Sequence, residues 1–173
     1  MIKIIIADDQ ALFREALCTF LSVQEDFSVV AQASNGEEAV RLSTLHKPDI
    51  VLMDLRMPVM DGVSATQRIR TSMPAVKVIV LTTFDDDTSV YEGLKAGAIG
   101  YLLKDASPEK LYEAIRSAYR DEYFLMPQIT AKVVAGLSKI PQPSQARETG
   151  DFIPLSHREI EILQWVARGL SNR

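Results

Sequence analysis

Four short segments of this chain place reactive side chains at or directly after the ends of apolar runs. Asp8 and Asp9 follow Ile2 to Ala7, and Asp54 follows Asp49 to Met53. Thr82 and Thr83 close the run that begins at Val76, and Lys104 follows Ile99 to Leu103. Three carboxylates, a hydroxyl and an amine make a coherent set if they meet. Crowded carboxylates repel one another and favour protonation unless a cation sits among them. An all-oxygen donor set suits Mg²⁺, or the similar Mn²⁺, which accepts one or two carboxylates together with water and a phosphate oxygen. An aspartate can also act as a nucleophile and form an aspartyl phosphate. A lysine and a metal could neutralise a transferring phosphoryl group, and a threonine hydroxyl could bind one of its oxygens. Each residue alone has a plainer explanation: an aspartate pair after a strand is usually a turn or a helix cap, and a threonine can simply fill a strand end.

The elements that would position these groups are legible as alternation. The runs Ile2 to Ala7, Phe27 to Ala33, Asp49 to Met53, Val76 to Thr82 and Ile99 to Leu103 are short and rich in Val and Ile. Strands apolar at nearly every position belong to sheets covered on both faces, which favours parallel pairing. Between them, apolar residues recur every three to four positions, as in Leu12, Ala16, Leu17, Phe20 and Leu21, in Ala39, Val40 and Leu45, and in Leu111, Ala114, Ile115 and Ala118. Ser107 and Pro108 suit the N-cap and first position of the last of these helices. Strand and helix alternating five times predict an α/β domain with a five-stranded parallel sheet and helices on both faces. In such a sheet, sites form beyond the carboxyl ends of the strands, where the strand order reverses. That edge is where all four reactive segments fall.

Past Asp121 the pattern changes. Ile129 to Leu137 could form one more helix opened by Pro127, and the polar, proline-containing stretch from Ile140 to Gly150 reads as a linker. At Ser156-His157-Arg158-Glu159 a capping box opens a further helix with Ile160, Leu163, Val166 and Ala167 on one face. The expected division is a domain over residues 1–121, a helical and flexible linker over 122–154, and a partial second unit over 155–173. Among other residues, Cys18 reads as a small buried hydrophobe, Trp165 as a packing residue, and His46 and His157 lack partners at metal-ligand spacing.

Composition narrows the class. Of 173 residues, 47% are hydrophobic and 24% charged, the profile of an ordinary globular protein. One cysteine permits no intrachain disulfide, which suits a reducing cytoplasm. No apolar stretch approaches the roughly 20 residues needed to span a bilayer, so no membrane association is expected. A net charge of −4 makes the chain as a whole a poor match for nucleic acid, so any DNA-binding surface must be local or lie outside it.

Taken together, these residues resemble a known family. The set Asp8-Asp9, Asp54, Thr82 and Lys104, with Asp54-Leu55-Arg56-Met57-Pro58-Val59-Met60-Asp61-Gly62, Gly97-Ala98 and Gly100-Tyr101-Leu102-Leu103-Lys104-Asp105, resembles the CheY-like receiver domain of two-component response regulators. The resemblance implies the flavodoxin-like fold, with strand order 2-1-3-4-5. It implies that Asp54 is the phosphoacceptor. Asp9, Asp54 and the backbone carbonyl of Arg56 would hold Mg²⁺ or Mn²⁺, with Asp8 acting largely through water. Lys104 would pair with the phosphoryl group. Thr82 would move toward it while Tyr101 turns inward. Gly62 and Pro58 would shape the loop after Asp54. Arg56 and Phe84 would flank the path of an attacking water, and since neither offers a carboxylate or amide, self-dephosphorylation is expected to be slow.

The tail resembles the start of a LuxR-type helix-turn-helix, through Leu155 to Leu163 and Ala167-Arg168-Gly169-Leu170-Ser171-Asn172. That pairing of domains is the NarL/FixJ class of transcription regulators. The resemblance implies a sensor histidine kinase as phosphodonor, a homodimer on phosphorylation, and DNA as the target of the complete helix-turn-helix. The base-reading helix is expected to be absent from this chain. No catalysis is expected beyond the protein's own phosphorylation and dephosphorylation. Asp105 follows Lys104 where many receivers have proline, so no cis peptide is expected there.

Two readings of another class fit less well. A flavin or nucleotide enzyme of the same topology needs a phosphate-binding loop after the first strand, where Asp8-Asp9-Gln10 would repel a bare phosphate. A phosphatase with an aspartyl nucleophile commonly carries an acid two residues later, where this chain has Arg56.

Overall fold

In the computed structural model, which describes residues 1–83, 87–127 and 129–131, six parallel strands form one sheet. The strands are β1 (Ile2–Ala7), β2 (Phe27–Ala33), β3 (Ile50–Met53), β4 (Lys77–Thr82), β5 (Gly100–Leu103) and β6 (Phe124–Leu125). The helices are α1 (Ala11–Ser22), α2 (Gly36–His46), α3 (Gly62–Ser72), α4 (Asp87–Lys95) and α5 (Pro108–Tyr119). The order is β2-β1-β3-β4-β5-β6, the flavodoxin-like arrangement expected, extended by one edge strand. From β1 the chain steps outward to β2, then returns across β1 to β3. The reversal opens a crevice between the ends of β1 and β3.

The pleat explains why the strands are apolar throughout. On β1, Ile2, Ile4 and Ile6 pack with Leu17 and Leu21 of α1, and Ile5 and Ala7 pack with Ala39 of α2 and Ala65 and Ile69 of α3. On β3 the same alternation sends Ile50 and Leu52 to one core and Val51 and Met53 to the other. Successive side chains point to opposite faces, so a strand covered on both sides must be apolar at every position.

Three features differ from the sequence reading. The sheet has six strands, because Phe124–Leu125 pairs parallel to β5, Gly100 opposite Phe124 and Tyr101 opposite Leu125. Two residues carry no period, so nothing marked them as a strand. The chain beyond stays packed, with Met126 and Ile129 buried in the core beside Leu111 and Ile115. The described part of the stretch assigned to the linker therefore lies on the sheet. Pro127 and Ile129 to Ala131 are helical, as the proline suggested, and the remainder of the helix expected to reach Leu137, the polar stretch from Ile140 to Gly150 and the expected second unit lie outside the described residues.

Second, Leu12, Phe20 and Leu45, read as part of apolar helix faces, are exposed, while Phe13 packs on the core. Third, Ser107 occupies the N-cap of α5 with Pro108 in the first turn, but its side chain makes no capping hydrogen bond. There is no cis peptide bond among the described residues.

Candidate phosphoacceptor site

The loop after each strand is anchored by backbone bonds that bring the strand ends level. The Asp8 N–H donates to the Ala33 carbonyl (3.1 Å), the Asp54 N–H to the Ala7 carbonyl (2.8 Å), and the Lys104 N–H to the Thr82 carbonyl (2.9 Å). Each residue thus continues its strand's ladder by one step, and its side chain emerges at the sheet's carboxyl edge.

The loop leading from Asp54 to α3 is fixed by a close approach. The Gly62 N–H donates to the Leu55 carbonyl (2.8 Å), and a Cβ added at Gly62 would lie 1.9 Å from the Asp54 carbonyl oxygen. Only glycine fits there. Asp61, just before it, caps α3 by accepting from the Ser64 N–H (2.8 Å). Gly62 therefore shapes the loop, as expected, and Val59 within it adopts a left-handed φ of 67°.

Carboxylate oxygens of Asp8, Asp9 and Asp54 lie within 4.8 Å of one another. Asp8 and Asp54 are buried and Asp9 is exposed. Lys104 reaches between the buried pair, its Nζ 2.6 Å from Asp8 Oδ2 and 2.8 Å from Asp54 Oδ2. The ammonium also lies 4.7 Å from the centre of the Phe13 ring, a cation–π contact. The other Asp8 oxygen accepts from the Gln10 N–H (2.9 Å). The Arg56 N–H points at Asp54 Oδ1 from 3.4 Å, a long contact, and its side chain is exposed.

The electrostatics follow from burial. Desolvation is the largest influence on Asp8 and raises its pKa above the ordinary value, against the pull of Lys104 and the Gln10 amide. For Lys104, burial alone would lower the pKa, yet its bonds to Asp54 and Asp8 together carry it above the ordinary value. Three carboxylates against one ammonium leave two formal negative charges at this edge.

A small divalent cation fits this donor set. The ligands are all hard oxygens, and opposite ligands of Mg²⁺ stand about 4.2 Å apart, twice the usual ligand distance. A span of 4.8 Å closes on that geometry with small side-chain movements or with water in one position.

The remaining expected residues divide in two. Thr82 ends β4 and is fully buried. Tyr101, in the middle of β5, is also fully buried, opposite Val80 in register. Because Val80 and Thr82 are two apart, Thr82 and Tyr101 share a sheet face. The Tyr101 ring packs against α4 beside Gly93, where an added Cβ would stand 3.4 Å from Tyr101 Cε2. The ring is therefore already inward in this structure, where an inward turn was expected to follow phosphorylation. Phe84 lies outside the described residues. Cys18 is half-buried against the core.

One neighbour of the site went unread. Arg14, in the first turn of α1, donates from Nη1 to the Asp8 carbonyl at 2.6 Å. The signal was available: a cation near a helix N-terminus opposes the macrodipole and asks for a reason.

Comparison with known proteins agrees with this geometry. Residues 4–116 match the response regulator receiver domain family. The transcriptional regulatory protein LnrK of Bacillus subtilis strain 168 is 41% identical over 182 aligned positions, covering 100% of this chain and 80% of LnrK. The transcriptional regulatory protein YxjL of the same strain is 40% identical, covering 99% of this chain and 78% of YxjL. Among solved structures, a two-component response regulator of the LuxR family from Aurantimonas sp. SI85-9A1 superposes with a TM-score of 0.75 at 29% identity, covering 80% of this chain and 99% of that one. A crevice of acids at the β1–β3 reversal, a lysine from β5 and a buried threonine from β4 thus stand in a chain that belongs to the two-component response regulators, with a receiver domain and close kinship to transcriptional regulators.

Proposed function

We propose that Asp54 accepts a phosphoryl group from a sensor histidine kinase, and that this event switches a DNA-binding transcription factor. The observation that carries the reading is the placement of Asp54 Oδ2, buried and 2.8 Å from the Lys104 ammonium, beside Asp8 and Asp9. Asp9, Asp54 and the Arg56 carbonyl would hold Mg²⁺ or Mn²⁺, with Asp8 acting largely through water. When bound, the metal supplies charge neutralisation for the transferring group. An Asp54 oxygen attacks phosphorus and forms an O–P bond. The P–N bond to the donor histidine breaks, and the ring nitrogen keeps the electron pair. Lys104, freed from Asp8, pairs with a phosphoryl oxygen, and the Thr82 hydroxyl binds another.

The phosphoryl group adds about −1.5 to −2 charges and biases an equilibrium between two receiver states. Thr82 moving to the phosphoryl oxygen would favour the state in which Tyr101 stays inward. The phosphorylated chain would dimerise, so that paired helix-turn-helix units meet paired DNA half-sites. The chemistry is confined to the protein's own phosphorylation and dephosphorylation. Among the described residues no helix is long and apolar enough to cross a membrane, and we place the protein in the cytoplasm with its kinase's phosphodonor domain.

The test uses a small phosphodonor such as acetyl phosphate. With Mg²⁺ the intact chain should gain the mass of one phosphoryl group, and Asp54→Asn should gain none. A mass gain retained in Asp54→Asn would overturn the assignment.

A further inference from the structure

We propose that Arg14 is a positioning residue of the cation site, holding the Asp8–Asp9 peptide so that both carboxylates face the crevice. The inference rests on the proposed metal reading and goes beyond it. The carbonyl that Arg14 Nη1 grips at 2.6 Å belongs to the peptide joining the two acids. Fixing that carbonyl, together with the Asp8 N–H bond to the Ala33 carbonyl, holds the backbone about Asp8 and the peptide plane from which Asp9 departs.

The other restraints on Asp8 do not fix this plane in the same way. Lys104 holds the Asp8 carboxylate, a contact that must loosen when a cation or a phosphoryl group competes for the same charges. The Gln10 N–H holds the second carboxylate oxygen. Arg14 acts on the backbone carbonyl and not on a carboxylate oxygen, so its bond does not compete with a cation for ligand atoms. Its Nη1 bond is charge-assisted and short.

Two costs argue that the arginine is not there for packing. It sits in the first turn of α1, whose N-cap is Gln10, where the helix dipole disfavours a positive charge. Its Nε is buried without a hydrogen-bond partner, a loss that an apolar side chain of similar length would avoid. A rule broken locally at no evident gain in stability points to the site it touches.

The experiment measures Mg²⁺ affinity by isothermal titration calorimetry on the full unphosphorylated chain, with parent, Arg14→Gln, Arg14→Lys and Arg41→Gln. Arg41 is an exposed residue of α2 and controls for the loss of one positive charge. Arg14→Gln should weaken Mg²⁺ binding about tenfold, the low end for loss of an outer-sphere partner. Arg14→Lys, which keeps charge and stem but not the guanidinium fork, should fall between parent and Arg14→Gln, at about threefold. Arg41→Gln should leave the affinity within twofold of parent. Because loss of a cation near the site would by itself tighten Mg²⁺ binding, weakening in Arg14→Gln has the sign only positioning predicts. Unchanged or tighter binding in Arg14→Gln overturns the proposal, and if that variant does not fold, unchanged binding in Arg14→Lys does so. A parent chain that binds no Mg²⁺ would instead refute the metal reading itself.

Discussion

At the scale of single residues, the site depends on backbone contacts as much as on charged groups. Gly62 shows this most sharply. A methyl group there would fall 1.9 Å from the Asp54 carbonyl oxygen, so the loop or the end of β3 must move. Gly62→Ala should destabilise the fold by about 3 kcal/mol, the upper part of the usual range for overpacking, and slow phosphoryl uptake by displacing Asp54. Gly93→Ala is the natural contrast, since its methyl would meet Tyr101 and Val80 at an ordinary 3.4 Å and alanine is favoured in a helix. It should leave stability within about 1 kcal/mol of parent on that account. Urea unfolding of both variants checks the pair, and equal midpoints would remove Gly62 from the list of constraints on the site. Asp8, Asp9, Asp54, Thr82 and Lys104 were legible because each directly follows or ends an apolar strand, and strand ends must meet at one edge. Arg14 was not, because its role depends on which carbonyl lies within reach of its side chain, a fact no spacing encodes.

At the scale of elements, strands were read better than helices, for a physical reason. A buried strand is apolar at every position, so its limits show as a change in composition, and β1 and β2 fall where the sequence placed them. A helix shows only a stripe. Leu12 and Leu45 lie beside the stripe, and three-to-four spacing does not separate the stripe's edge from its centre. The packing of α5 against the α1–β2 corner was also hidden, since it rests on long-range polar contacts. Arg116 donates from Nε to Asp26 Oδ2 (2.8 Å), from Nη2 to Asp26 Oδ1 (2.9 Å) and to Gln24 Oε1 (2.8 Å), and stacks over the Phe27 ring at 4.8 Å. The Arg116 bond holds the Asp26 pKa below its ordinary value of 3.8. A carboxyl whose folded pKa is depressed contributes stability above its unfolded pKa and loses it as pH falls through the folded one. Asp26→Asn should therefore lower stability at neutral pH, by no more than about 1 kcal/mol because the pair is partly exposed. The gap between variant and parent should shrink as pH falls below 3.8. Urea titrations at neutral and acid pH measure it, and a gap that widened with acid would reverse the assigned sign.

At the scale of the whole molecule, the question is where the receiver ends. The family match stops at residue 116, and the sequence reading placed the boundary at 121, yet the described structure continues as one packed body. β6 extends the sheet beside β5, the strand that carries Tyr101, and the Phe124 N–H donates to the Ile99 carbonyl at 3.1 Å. Ile129 is fully buried and Met126 nearly so, in the same core as Leu102, Leu111 and Ile115. If these residues belong to the receiver's cooperative unit, removing side-chain volume at 129 must weaken the entire domain. Ile129→Ala should lower the stability of the receiver's unfolding transition by about 2 kcal/mol or more, as other buried isoleucine truncations do. A linker that merely rests on the sheet predicts another result: local release of residues after 121, with the main transition in urea unmoved. Following that transition by far-ultraviolet circular dichroism separates the two. A shifted midpoint with an unchanged slope would mean that the first strand beyond the matched domain shares its folding. A change in the core around Tyr101 would then be felt directly by the chain that leads onward from it.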